Sequence, residues 1–116
     1  MKDEVKRSHE RILHIAEGIK TIQQFTKGRT EKEYLADKML MSAVLFEFSV
    51  IGKAINHVDE TILAKYDYPW RRIRSFRNLI AHEYFNILPE AVWQIIEKDL
   101  LDLDKIITQM LKDFKR

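Results

Sequence analysis

The 116-residue chain has no cysteine, three glycines and two prolines. The missing thiol rules out disulfides, thiolate nucleophiles and cysteine-ligated zinc, and it suits a reducing compartment. So little glycine and proline leaves too few turn positions for a protein of many short strands. Charge of one sign is also lacking: 20 basic against 18 acidic side chains give a formal +2. Any attraction to a polyanion therefore has to be local. The N-terminal MKDEVKRSHERIL is charged from its second residue and carries no apolar core of a secretory signal. The most apolar run, Met39 to Ile51, is shorter than a bilayer span and contains Glu47. These absences predict a cytoplasmic protein without membrane contact. With 46% hydrophobic and 33% charged residues, the composition fits one globular domain over residues 1–116.

The pattern that fills the chain is helical. Val5, Ile12, Ile15, Ile19, Ile22 and Phe25 recur on one side of a first helix expected to stop near Gly28, a residue type that closes helices. Thr30 and Glu33 have capping-box spacing and open the next helical region. From Asp37 to Val58 the chain is apolar on two sides. Leu40, Val44, Ile51, Ala54 and Val58 form one stripe; Met41, Leu45, Phe48, Gly52 and Ile55 form another. Such a helix is either central in its own domain or buried again by a second subunit. Asp59 to Tyr66 is expected as a short helix, and Pro69 is placed to begin another at its first position. Pro89 starts a last helix, where Trp93, Ile96, Leu100, Leu103, Ile107, Met110 and Phe114 repeat at alternating spacings of three and four. The expectation is an all-α antiparallel four-helix bundle with an extra short helix.

The stretch RNLIAHEY, Arg77 to Tyr84, ends the penultimate apolar pattern with a cluster of chemically capable side chains. On a helix over 69–82, at about 100° per residue, Ile73, Phe76 and Ile80 centre the buried stripe and Arg77 falls inside it. A guanidinium there needs an anionic or hydrogen-bonding partner, because an unpaired buried charge is expensive. His82 lies about 140° from Arg77, in line with Arg71 and Asn78, so one straight helix cannot aim both at the same atom. Either the helix ends near Ala81 and His82 and Tyr84 fold back, or a second subunit brings its own pair across a symmetry axis, and both can hold at once. Twofold dimers are the commonest closed assembly. The expectation is a homodimer with the two RNLIAHEY segments facing each other.

YPWRRIRSFRN carries Arg71, Arg72, Arg74 and Arg77 with no acidic residue, interleaved with Tyr68, Trp70 and Phe76. Arginine forks suit phosphate and aromatic rings can stack on unpaired bases; a solvated basic helix face has the same composition. A histidine near a phosphate adds a chemical use. Imidazole can take a proton from a ribose 2′-hydroxyl or give one to the leaving oxygen, while arginine stabilises the growing charge on phosphorus oxygens. That suffices for metal-free RNA scission to a 2′,3′-cyclic phosphate.

The spacing R-N-x-x-x-H-x-Y, filled by Arg77, Asn78, His82 and Tyr84, resembles the signature of HEPN domains, and more closely that of HepT-like toxins encoded beside a small MntA-type nucleotidyltransferase antitoxin. The resemblance extends through FEFSVIGKAINHV, YPWRRIRSFRNLIAHEYF and PEAVWQIIEKDL, most of the chain. It implies a dimerising all-α domain with a composite ribonuclease site in which Arg77 and His82 are the catalytic pair and Asn78 orients them. It also implies that Tyr84 accepts AMP from the antitoxin. Nucleotide phosphates beside His82 would put charge and bulk where the RNA phosphate must sit. Arg71, Arg72 and Arg74 are the candidate RNA-phosphate ligands. Family members often read I-G-E-A where this chain has Ile51, Gly52, Lys53 and Ala54, so an acidic group is missing here. Glu47, one turn earlier, is the candidate replacement as a carboxylate for Arg77 or His82.

His9, His14 and His57 have no spacing that would build a metal site, and no glycine-rich phosphate loop or nucleotidyltransferase signature occurs in the chain. No metal or cofactor is expected, and AMP transfer would be the partner's reaction. An alternative of a different class is a non-catalytic HEPN subunit that binds nucleotide or substrate for such a transferase. A third is a helical adaptor whose Arg77 merely pairs with Glu47.

Overall fold

A computed structural model describes residues 2–115. The chain runs α1 (Lys2–Thr26), α2 (Glu31–Leu35), α3 (Lys38–Asn56), α4 (Glu60–Leu63), α5 (Trp70–His82), a 3₁₀ turn (Tyr84–Asn86), α6 (Pro89–Gln94), a π-helical turn (Ile95–Asp99) and α7 (Leu100–Phe114). No strand occurs among the described residues. The four long elements α1, α3, α5 and the continuous α6–α7 rod form the expected helical bundle.

Local chemistry sets the boundaries. α1 ends two residues before Gly28, which takes φ +74°, a conformation that a side chain would strain. Thr30 and Glu33 form the reciprocal capping box: Glu33 N–H donates to Thr30 Oγ1 at 3.1 Å and Thr30 N–H donates to Glu33 Oε1 at 2.9 Å. The bonds that the Thr30 N–H and hydroxyl donate to Glu33 Oε1 hold the Glu33 carboxyl below its ordinary value. Asp37 caps α3 through Leu40 N–H, and Pro89 opens α6 at its first turn. Pro69 precedes α5 as its N-cap rather than standing at the first helical position.

α3 is the centre of the bundle. Its Val44, Ile51 and Ala54 are buried with Ile12, Ile15, Ile19 and Ile22 of α1, while Leu45, Phe48, Gly52 and Ile55 are buried on the side of α5. Both apolar stripes are thus consumed inside the chain, so the two-sided pattern is explained by a central helix without a second subunit. The same burial explains why α3, 19 residues long, is apolar and long enough by composition to cross a membrane, beyond the shorter run Met39 to Ile51. At the ends of α1 the expected stripe is only partly covered: Val5 and Phe25 are 48% and 38% exposed. The seam from Trp93 to Met110 is buried throughout and Phe114 half-buried, with the π-turn inserted between α6 and α7.

Candidate active site

α5 is fixed in rotation by its first residue. Trp70 is buried, its Nε1–H donating to Leu63 O at 3.0 Å. From that anchor Phe76 meets Phe48 edge-on at 5.2 Å between centroids, and Arg77 comes down on Gly52 of α3. The absent side chain at 52 is what lets the stem of Arg77 lie against the α3 backbone. Arg77 is half-buried, and its Nε is buried with no hydrogen-bond partner. No ion pair involves it among the described residues. Arg77 stands on the core side where the sequence places it, and no counter-ion for it occurs among the described residues.

α5 ends at His82. Glu83 leaves helical geometry at φ −130°, its N–H still donating to Leu79 O at 2.7 Å, and the chain turns through Tyr84–Asn86. Tyr84 folds back to α3, where its hydroxyl lies 3.5 Å from Ser42 Oγ. It also neighbours buried Tyr34, whose hydroxyl is pushed up to about 12 by burial and by Tyr84. Tyr84 remains 44% exposed. Asn78 and His82 stay on the solvent face of α5. The turn therefore returns Tyr84 to the bundle but leaves His82 pointing away from Arg77, by about 140° on the helix.

Glu47 does not join this group. It lies about 140° around α3 from Gly52 and lines a groove with His14, Glu17 and Lys20 of α1. Lys53, beside Gly52, is exposed. The arginine run is also divided by the fold. Arg74 pairs with Glu60 of α4 at 2.5 Å, its side chain 30% exposed, and its Nε has no partner. Arg72 overlooks a cleft of about 600 Å³ between α5 and α7, together with Asp67, Asp99 and Asp102. Burial, with those last two carboxylates adding to it and Arg72 opposing, pushes the Tyr68 hydroxyl up to about 12. Arg71 is exposed, on the same face as Asn78 and His82. The segment has no acidic residue in sequence, but tertiary neighbours supply several.

The interleaved aromatics are equally committed. Tyr68 packs on Trp70 at 4.9 Å and Phe76 on Phe48, so neither Trp70 nor Phe76 is free to stack on a base. The ring that sequence reasoning passed over is Phe85, 98% exposed on the 3₁₀ turn. Its place between His82 and Pro89, outside every helical apolar repeat, was the available signal.

No group of three His, Asp or Glu side chains suited to a metal ion occurs among the described residues. What the segment offers is a hydrogen-bond donor fork in a partly dry setting, an exposed imidazole, and a phenol whose hydroxyl meets α3 at Ser42.

A family model described as Ribonuclease HepT-like matches residues 15–110. A Methanocaldococcus jannaschii protein named "Putative RNase" is 33% identical over 105 residues, covering 90% of this chain and 87% of that one. A Thermococcus cleftensis protein named "Probable ribonuclease HepT" is 30% identical over 101 residues, covering 85% and 92%. A longer M. jannaschii protein, "Gamma-glutamylcyclotransferase and putative RNase", is 28% identical over 106 residues; the chain spans 48% of its length. No solved structure matches significantly. With the family model matching most of the bundle, including α5 and its terminal turn, the chain belongs to the HepT-like ribonuclease family.

Proposed function

We propose that the protein is an RNA endonuclease acting as the toxin of a toxin–antitoxin pair. The observation that carries this reading is Arg77: its stem is seated on Gly52, and its Nε is buried with no partner among the described residues. A buried donor left open is costly unless a ligand satisfies it, and a phosphodiester oxygen is the matching acceptor. In the reaction the ribose 2′-oxygen attacks phosphorus, the 5′-oxygen leaves, and a 2′,3′-cyclic phosphate and a 5′-hydroxyl result. His82 takes the 2′ proton or supplies one to the departing 5′-oxygen, Arg77 holds the non-bridging oxygens, and Asn78 orients the pair.

Because Arg77 and His82 diverge on one helix, the site is composite: Arg77 of one protomer works with His82 of the partner subunit. A stripe on α3 suits that contact. Met39, Phe46 and Lys53 recur every seven residues, about 100–140° around the helix from Gly52, and Met39 and Phe46 are 82% and 65% exposed. The antitoxin, an MntA-type nucleotidyltransferase, silences the site by transferring AMP to Tyr84, which is exposed and hydrogen-bonded at the edge of α3. The added phosphate would compete with RNA for the same donors.

The test uses protein free of AMP and an RNA substrate in the presence of a chelator. Wild type should give fragments ending in 2′,3′-cyclic phosphate, and His82→Ala should give none while remaining folded. A wild-type protein that binds RNA or nucleotide but cuts nothing would instead identify a non-catalytic binding subunit.

A further inference from the structure

The exposed 3₁₀ turn carries a feature that the acid–base chemistry does not use. Phe85 is 98% exposed, more than any other large apolar side chain described. Its only ring contact among the described residues is with Tyr84, centroids 5.7 Å apart and planes at 86°. The backbone that presents it is tightly held. Glu83 N–H donates to Leu79 O, Asn86 N–H donates to Glu83 O at 2.9 Å, and Asn86 Nδ2–H donates to Glu83 Oε2 at 2.7 Å. Little conformational freedom is left in the turn for a partner to remove.

We infer that Phe85 is the base-stacking platform of the site and that the substrate is single-stranded RNA, an inference resting on the ribonuclease reading. Three observations converge. The ring lies three residues beyond His82, so a base resting on it belongs to a nucleotide near the scissile bond. Tyr68, Trp70 and Phe76 are packed into the protein and Tyr84 is 44% exposed, leaving Phe85 at 98% as the most accessible ring of the segment. The Asn86 side-chain bond to Glu83 Oε2 at 2.7 Å pins the turn beneath the ring, so a base can settle on it without first ordering the loop. A base has a free face only where the strand is unpaired, which sets the substrate class. Stacking is tolerant of sequence, so Phe85 selects strandedness more than base identity.

The experiment uses a short single-stranded oligoribonucleotide with 2′-O-methyl riboses, which cannot be cleaved, carrying 2-aminopurine at each position in turn. Wild type and Phe85→Trp should quench the fluorescence of 2-aminopurine at one position. Phe85→Leu, which keeps an apolar side chain at an exposed site, should abolish the quenching and weaken binding about tenfold. The salt dependence of binding should be unchanged, since no phosphate contact is lost. Equal binding and unchanged fluorescence with Phe85→Leu would overturn the inference. So would a loss of binding that sedimentation traces to a changed oligomeric state, which makes the ring a protein contact, and so would a failure of wild type to bind the oligomer. Cleavage of unmodified RNA is scored in parallel. Wild-type cutting matched by Phe85→Leu defeats only the stacking role, whereas stacking by a protein that never cuts defeats only the ribonuclease reading.

Discussion

Arg77 of α5 lies directly over Gly52 of α3: a methyl group at position 52 would stand 2.8 Å from Arg77 Cγ and closer still to its Cβ. The contact involves the root of the side chain, so Arg77 cannot escape by swinging its tip. Gly52→Ala must push α5 outward. The expected destabilisation is about 1 kcal/mol net, an overpacking penalty of about 1–3 partly offset by about 1 from better helix propensity. Cleavage should fall much further, because a displacement of this size misplaces the guanidinium. Urea denaturation and initial rates measured together check the point, and a variant as stable and as active as wild type would refute it.

The arginines of α5 should separate by location. Arg71 is exposed on the face of Asn78 and His82, whereas Arg74 is tied to Glu60. Arg71→Ala is expected to weaken RNA binding and lower the slope of log affinity against log salt by about one. Arg74→Ala should leave that slope nearly unchanged and instead lower thermal stability, since it removes one bond that ties α4 to α5, the Trp70–Leu63 bond remaining. Equal effects of the two changes on the salt slope would show that the Glu60 pair opens for RNA.

That division was not legible in the sequence, and the reason is physical. Glu60 is fourteen residues from Arg74, while Asp99 and Asp102 reach the cleft beside Arg72 only through the packing of α7. Glu47 was misplaced for a related reason: one turn along α3 is close in sequence, yet it faces α1. Features governed by local geometry were readable. The capping box at Thr30, the left-handed Gly28 and the α6 start at Pro89 depend on a few consecutive residues. So did the divergence of Arg77 and His82, which share one helix. The π-turn at Ile95–Asp99 left no mark on the alternating three and four spacing of the seam, and Phe85 was visible only as a residue outside every repeat.

Stability should decline between pH 10 and about 12. Burial is the first cause that pushes the hydroxyls of Tyr34, Tyr66 and Tyr68 from 10 up to about 12; for Tyr66, Asp113 adds to it. A raised folded value means the folded state keeps its proton where the unfolded chain has lost it. The contribution is therefore intact below pH 10 and lost as pH rises through the folded values. Tyr66 is the cleanest probe, because its hydroxyl donates to Asp113 Oδ2 at 2.6 Å. Tyr66→Phe should be about 2 kcal/mol less stable at neutral pH, as a hydrogen bond to a charged acceptor is lost, and should fall less steeply above pH 10. Denaturant midpoints across that range test it; parallel curves for the two proteins would rule the assignment out.

Tyr84 is the residue where structure and proposed regulation meet. Its hydroxyl is within reach of Ser42 Oγ and its ring is partly exposed, so a nucleotide attached there would extend from the edge of α3 toward the end of α5 that carries His82. Tyr84→Phe removes the acceptor oxygen and, with it, only a weak contact of 3.5 Å, so the fold should hold. Ser42→Ala provides the control: it removes the same contact while keeping the acceptor. Produced together with the partner nucleotidyltransferase, wild type and Ser42→Ala should gain mass in whole AMP units and lose RNA cleavage. Tyr84→Phe should keep its unmodified mass, cut RNA in the partner's presence and inhibit growth. If Tyr84→Phe acquires AMP elsewhere and is silenced all the same, the acceptor is another side chain and the competition between its phosphate and RNA for Arg77 has to be rebuilt around that position.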